Sequence, residues 1–347
     1  MKALRMNAWM SEPVVEEVPT PEPAPGEVLV KVSAAGACHS DIHLMEMPPG
    51  AFNYSVPFTL GHEIAGTVEA LGEGTTGYQL GEAVAVHGAY GCLRCRLCRE
   101  GRENYCDKTE GLRNAAGLGL GLDGGMAEYV LVRSPRYLVP IGDLDPAVAA
   151  PLTDAGTTPY HAIRRSLDLL IPGSSAVVIG VGGLGHLAVQ ILKALAPVRV
   201  IAVDVSTEKL ENALAHGADH VVEAGGAAVA EIKKITGDLG AELVLDFVGN
   251  NDTMLLGAQV ARRLGHLTIV GLAVGFLNFS VVTVPIECSV ASTFWGSIAD
   301  TADVIELARM GRISVDVEKF SLENAMEAYG KMKAGELKGR AVITPNG

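Results

Sequence analysis

The chain has 347 residues, 48% of them hydrophobic and 19% charged, which suits two ordinary domains with full cores and excludes a disordered chain. Its 40 acidic against 27 basic residues leave a formal charge of −13, so nucleic acid and anionic membrane surfaces are poor partners. The opening MKALRMNAWMSEP holds no apolar stretch long enough for a signal peptide, and a soluble, cytoplasmic protein is expected.

After a proline-rich lead-in, PTPEPAPG at 19–26, the segment EVLVKVSAAG alternates Val28, Val30 and Val32 against Leu29 and Lys31 and predicts a strand. GTVEALG, EAVAVHG and AEYVLV predict further strands between glycine-rich turns, together a barrel-like all-β region. Two stretches within it carry chemistry: GACHSDIH supplies Cys38, His39, Ser40, Asp41 and His43, and GHEIAG supplies His62 and Glu63. A lone cysteine or histidine is more often a core residue than a ligand. With a later carboxylate, however, these residues could form a catalytic zinc site of three ligands and one open position. Spacing alone leaves that choice open.

Residues 92–106, CLRCRLCREGRENYC, hold four of the six cysteines at C-x2-C-x2-C-x7-C spacing. In a reducing compartment such a cluster seldom forms disulfides. Thiolates suit zinc, and Cys92, Cys95, Cys98 and Cys106 can close a tetrahedron around one ion. A fully ligated ion leaves no position for substrate, so this lobe is structural. The interleaved Arg94, Arg96, Arg99 and Arg102 read as a solvated basic face that offsets the thiolates.

After about residue 155 the pattern changes. SSAVVIG predicts a buried strand, LGHLAVQILKALA a helix ended by Pro197, and VRVIAVD the next strand. Ser206 caps a helix that stops at Gly217. ELVLDFVG, a helical TMLLGAQVARRLG, HLTIVG and SVASTFW follow, then a helix at ADVIELARMG and a tail strand, GRAVIT, able to return to the first domain. Buried strands alternating with helices define a doubly wound parallel sheet, an α/β architecture. Gly180-Val181-Gly182-Gly183-Leu184-Gly185 fits G-x-G-x-x-G between a strand and a helix, with Asp204 closing the next strand. That context predicts a dinucleotide site whose pyrophosphate meets the helix N-terminus. A carboxylate at Asp204 accepts ribose hydroxyls and repels a 2′-phosphate, so NAD is expected over NADP; Lys209 can reach the same ribose.

GHEIAGTVEALGEG, the four-cysteine lobe and VVIGVGGLG occur in the order of the zinc-dependent medium-chain alcohol dehydrogenases, and the chain resembles that family over essentially its whole length. The resemblance implies a GroES-like catalytic domain at 1–154 and 296–347, with a structural zinc lobe at 92–106, and a Rossmann NAD-binding domain at 155–295. It implies two zinc ions per chain. Cys38 and His62 match catalytic ligands, and Asp154 stands where many members have cysteine and some aspartate. Glu63 matches an acid that visits the metal, and Asp41 one that orients His62. Ser40 matches the hydroxyl taking the substrate proton, and His43 the outer relay to solvent. His39 and Arg340 match positions near the pyrophosphate, and Thr158 and Leu184 positions against the nicotinamide.

On the same resemblance, Tyr54, Phe294 and Trp295 line the substrate pocket. Aromatic walls favour apolar, aryl-bearing secondary alcohols or their ketones over charged polyols. PIECSVASTFWG resembles the edge strand of the family's dimers, which pair into homotetramers, and Cys288 within it reads as a small buried residue. Two other readings remain at this point: a zinc-free quinone or enone reductase of the same superfamily, and a non-catalytic nucleotide-binding protein. Cys38, His62, Asp154 and Asp204 speak against the first, and the relay residues Ser40 and His43 against the second.

Overall fold

The computed structural model describes residues 1–109, 117–337 and 339–347. They divide into two units, Met1–Thr157 with Gly296–Gly347, and Thr158–Trp295. The first unit runs to Thr157 before the second begins. The turn that carries Asp154 is tied into the first unit, where Thr157 Oγ1 lies 3.0 Å from Thr301 Oγ1.

The first unit is built on a seven-stranded sheet. Its order runs Leu138–Pro140, Ala83–Val86, Glu63–Leu71, Val28–Gly36, Arg340–Thr344, Val317–Ser321, and Tyr129–Val132 also pairs with Val28–Gly36. The predicted strands at EVLVKVSAAG, GTVEALG, EAVAVHG and AEYVLV all appear here. The tail strand does return, running antiparallel to Val28–Gly36 and parallel to Val317–Ser321. A smaller sheet joins Val14–Glu17, Lys2–Met6 and Phe58–Thr59. Leu4, Val30, Ile64, Val84, Tyr137 and Ile343 are among the side chains of one continuous core between these strands and the last helix, Ala325–Ala334. The segment around GACHSDIH, read within a strand-rich half, is instead a helix, His39–Glu46. Cys38 is its N-cap residue, and Asp41 Oδ2 reaches back to accept from the Cys38 backbone N–H at 3.0 Å. An acid in the first turn of a helix is favourable there.

The second unit is a six-stranded sheet in the order His220–Glu223, Arg199–Asp204, Ser175–Ile179, Ala241–Asp246, Ala261–Ile269, Ser289–Ser292, parallel throughout. This is the 3-2-1-4-5-6 strand order of a dinucleotide-binding sheet. Val177, Ile179, Ile201, Val203 and Val244 are fully or almost fully buried, as strands covered on both faces require. The helix Gly185–Leu195 follows the first strand, and Ser206 caps Thr207–Ala215 by accepting from Lys209 N at 3.4 Å. One element was misjudged: the helix expected through ARRLG ends at Val260, and Ala261–Ile269 is one strand. Gly265 and the positive φ of Leu264, 65°, mark the irregular backbone there, where helical periodicity gave no warning.

The returning strand is a structural keystone of the first unit, since it lies inside the sheet. Ile343→Ala removes a fully buried side chain from that strand and should cost about 2–5 kcal/mol. The denaturant midpoint of the first unit should fall accordingly, while the second unit's should hold.

Candidate active site

The donor atoms of Cys38, His62, Glu63 and Asp154 lie within 4.8 Å of one another, three of the residues buried and Asp154 partly so. They converge from the N-terminus of one helix, the start of the strand Glu63–Leu71, and the π-helical turn Leu152–Gly156. Cys38 Sγ is 3.8 Å and His62 Nε2 3.6 Å from Asp154 Oδ2. Ligands at zinc distances of about 2.0–2.3 Å on a tetrahedron stand roughly 3.3–3.8 Å apart, so the three fit one ion.

The wide turn presents Asp154 because its neighbours are pinned. Thr157 Oγ1 donates to Leu152 O at 2.8 Å, Ile64 N to Thr153 Oγ1 at 3.3 Å, and Ala155 N to Glu63 Oε1 at 3.3 Å. His87 belongs to the same support, hydrogen-bonded through Nδ1 to Thr301 Oγ1 at 2.8 Å. Burial pushes its pKa down to about 4, against the pull of Asp300 and Asp154, so it is neutral near pH 7.

Charge in the cluster is unevenly compensated. For His62, burial opposes the charged form, but the carboxylates of Asp41 and Asp154 and the Cys38 sulfur outweigh it and raise its pKa well above the usual value. These donors therefore attract a positive charge to Nε2, the place a metal ion would take. Glu63 is fully buried, and burial pushes its carboxyl up to about 7 against the pull of Arg340. Arg340 Nη2 donates to both oxygens, at 2.5 and 2.6 Å. Gly36 makes the room: a Cβ there would stand 1.8 Å from Glu63 Oε2. Arg340, expected near the pyrophosphate, thus has a partner that sequence reasoning did not assign.

The relay residues lie on the helix that Cys38 opens. Ser40 Oγ is 3.7 Å from Cys38 Sγ, and His43 follows one turn later, half-buried. Asp41 is fully buried and its Oδ1 stands 3.1 Å from His62 Nδ1. His39 is exposed. Tyr54 stacks on Phe52 at 5.1 Å and meets Phe58 edge-on at 6.5 Å. Burial pushes its phenol up to about 12. Tyr329, which no motif pointed to, donates to Asp41 Oδ2 at 2.9 Å.

The four-cysteine lobe is as compact. Cys92, Cys95, Cys98 and Cys106 bring their sulfurs within 4.8 Å of one another, and all six cysteines are free. The Cys92–Cys98 sulfur separation of 4.0 Å is far too long for a disulfide and close to the edge of a zinc tetrahedron. Backbone N–H groups of Cys92, Cys95, Cys98 and Lys108 point at the sulfurs at 3.2–3.5 Å. Such donors favour thiolate, and those of Arg94 and Cys95 lower Cys92 to about 6. Burial pushes Cys98 up to about 12, a cost that a bound cation offsets.

In the second unit the glycine-rich turn has the shape that dinucleotide binding needs. Gly180 has a φ of 81°, and nothing lies within 4 Å of where a Gly182 side chain would start. A Cβ on Gly185 would stand 1.9 Å from Gly180 O, so only glycine lets the helix begin there. Gly183 completes the turn and Leu184 is the N-cap of the helix. Asp204 accepts from Val181 N at 2.9 Å and Ser206 N at 3.0 Å, holding the turn while each oxygen keeps a free lone pair for a ribose hydroxyl. Lys209 is half-buried one turn into the next helix, Thr158 is buried, and Phe294 meets the buried Trp295 edge-on at 6.1 Å.

Residues 24–143 match the family model "Alcohol dehydrogenase GroES-like domain", and residues 183–309 match "Zinc-binding dehydrogenase". The chain is 36% identical to the NAD-dependent alcohol dehydrogenase of Sulfurisphaera tokodaii, over 99% of this chain and 100% of that protein. It is 35% identical to D-arabinose 1-dehydrogenase (NADP(+)) of Saccharolobus solfataricus, over 96% of this chain and 95% of that one. The crystal structure of the alcohol dehydrogenase of Aeropyrum pernix superposes with a TM-score of 0.91 at 34% identity, covering 99% and 100% of the two chains. The chain belongs to the zinc-dependent medium-chain alcohol dehydrogenase family.

Asp154 is the donor that departs from a thiolate-rich site, and its loss is the sharpest test of the cluster. Elemental analysis should find two zinc ions per chain in the wild type and one in Asp154→Ala. Asp154→Cys, which keeps an anionic ligand, should retain both.

Proposed function

We propose that the protein is an NAD-dependent alcohol dehydrogenase that interconverts an apolar secondary alcohol and its ketone. The observation that carries this reading is the buried set Cys38, His62 and Asp154, which fits one zinc ion in a chain that also holds a dinucleotide turn. Cys38, His62 and Asp154 would hold the zinc, which would supply a Lewis acid for the alcohol oxygen, and the glycine turn would hold NAD⁺, which would supply a hydride acceptor.

The chain's own residues do the rest. Ser40 Oγ takes the alcohol proton, and His43, three residues on and so on the same helix face, passes it towards solvent. Asp41 holds the His62 ring so that Nε2 faces Asp154, where the metal would sit. Arg340 holds the Glu63 carboxyl in place as a spare donor beside the ligands. Asp204 favours NAD, although the D-arabinose relative is named for NADP(+).

Tyr54, stacked on Phe52 and edge-on to Phe58, supports an apolar and aryl-bearing substrate. With purified protein and NAD⁺, kcat/KM for aryl-bearing secondary alcohols should exceed that for D-arabinose and short primary alcohols by at least about tenfold. Equal or better turnover of the sugar would sink the substrate class. Ser40→Ala should lower kcat by about 10²-fold, with the Kd for NADH unchanged by fluorescence titration.

We also read the chain as a homotetramer. Val274, Phe276, Phe279, Val281 and Val282 are each at least 66% exposed, more contiguous apolar surface than a monomer usually leaves in water. They lead into Ser289–Ser292, an edge strand able to pair with a second copy. Light scattering at micromolar concentration should give four 36.2 kDa chains; a monomer would overturn this. No described helix is long and apolar enough to cross a membrane. Six free thiols suit a reducing, cytoplasmic location.

A further inference from the structure

The Asp41 carboxylate gathers three donors, one from its own helix start and two from distant parts of the chain. Its Oδ1 faces His62 Nδ1 at 3.1 Å, and its Oδ2 accepts from Cys38 N at 3.0 Å and from the Tyr329 hydroxyl at 2.9 Å. Tyr329 lies on the last helix, Ala325–Ala334, and is 1% exposed. Its ring fills the core of the first unit, a task that phenylalanine would perform equally well. The hydroxyl is the atom that needs explaining, because burying an unpaired one is costly.

Two acceptors lie within its reach, Asp41 Oδ2 and Met126 Sδ at 3.2 Å. A hydroxyl has one proton, and a carboxylate is a far stronger acceptor than a thioether. Burial and the neighbouring Asp41 charge hold the phenol well above its usual pKa, so the proton stays and is donated. The line therefore runs from Tyr329 through Asp41 to His62, whose Nε2 faces Cys38 and Asp154.

We propose that Tyr329 is a positioning residue for the metal centre: its hydroxyl fixes the Asp41 carboxylate, which in turn fixes the tautomer and ring plane of His62. Without the hydroxyl, Asp41 keeps its two other donors but can swing about the Cys38 N–H. The His62 ring then loses its aim at the ion. Outer partners of metal-bound histidines typically set 10–100-fold of metal affinity. Tyr329 stands one link further out, so the low end of that range applies. The inference rests on the reading of Cys38, His62 and Asp154 as metal ligands.

The test uses full-length protein stripped of metal and titrated with Co²⁺, read by its visible absorption, with zinc affinities from chelator competition. The four-cysteine site, in the same molecule, is the internal reference for folding. Tyr329→Phe should bind metal about tenfold more weakly at the mixed-ligand site, shift its cobalt bands, and leave the four-cysteine site unchanged. In an Asp41→Asn background the same substitution should cost less than about twofold, because the charged acceptor is gone. Unchanged affinity in Tyr329→Phe, or an equal loss in both backgrounds, would overturn the role of Tyr329. Wild-type protein that binds only one Co²⁺ would overturn the metal reading itself, and this inference with it.

Discussion

Three potential anions, Cys38, Glu63 and Asp154, crowd around His62 in a site that water scarcely reaches. Nearly everything else in the first unit answers that crowding. Like charges so close cannot all ionise without a compensating cation. Arg340 supplies one, buried against Glu63 by the strand that brings the chain back into the sheet. His62 takes up another as a proton, and a metal ion can take that proton's place. The site is thus a charge-balanced pocket whose preferred occupant is divalent.

The supporting groups are arranged by the same logic. Small residues sit where the charged ones must pass, as Gly36 does beside Glu63. Threonines at 153 and 157 fasten the wide turn that displays Asp154, using hydroxyls that bond to backbone. In the second unit a different economy operates. There the backbone is the binding surface, and the side chains that matter most are the ones glycine lacks.

How much of this was legible in the sequence depended on how local each signal was. C-x2-C-x2-C-x7-C is written within fifteen residues, so spacing alone pointed to a zinc lobe, and G-x-G-x-x-G needed only its flanking strand and helix and Asp204 beside it. The parallel sheet was equally plain, because strands buried on both faces leave continuous apolar runs such as AVVI. Cys38, His62 and Asp154 are separated by tens of residues, and only a resemblance to known proteins joined them. Tyr329 was invisible: it reaches Asp41 across 288 positions, on a helix whose pattern marks it as ordinary core. The helix at His39–Glu46 was lost among strands, as its few turns carry no strong amphipathic period. Past Val260 the chain turns from helix to strand with no proline or capping signal to announce it.

The return of Arg340–Thr344 into the first sheet has a consequence for how the protein is made. Residues 158–295 are contiguous and hold all six strands of their sheet, so this unit is complete while the ribosome is still working. The other unit has waited since its earliest strands emerged, with Val28–Gly36 lacking one neighbour and Glu63 lacking its cation. Its core and its charge balance close together, when Arg340–Thr344 pairs with Val28–Gly36. Until then the nascent chain carries an open strand edge and a cluster of unneutralised acids. The strand that closes the sheet is therefore also the one that makes the metal pocket habitable.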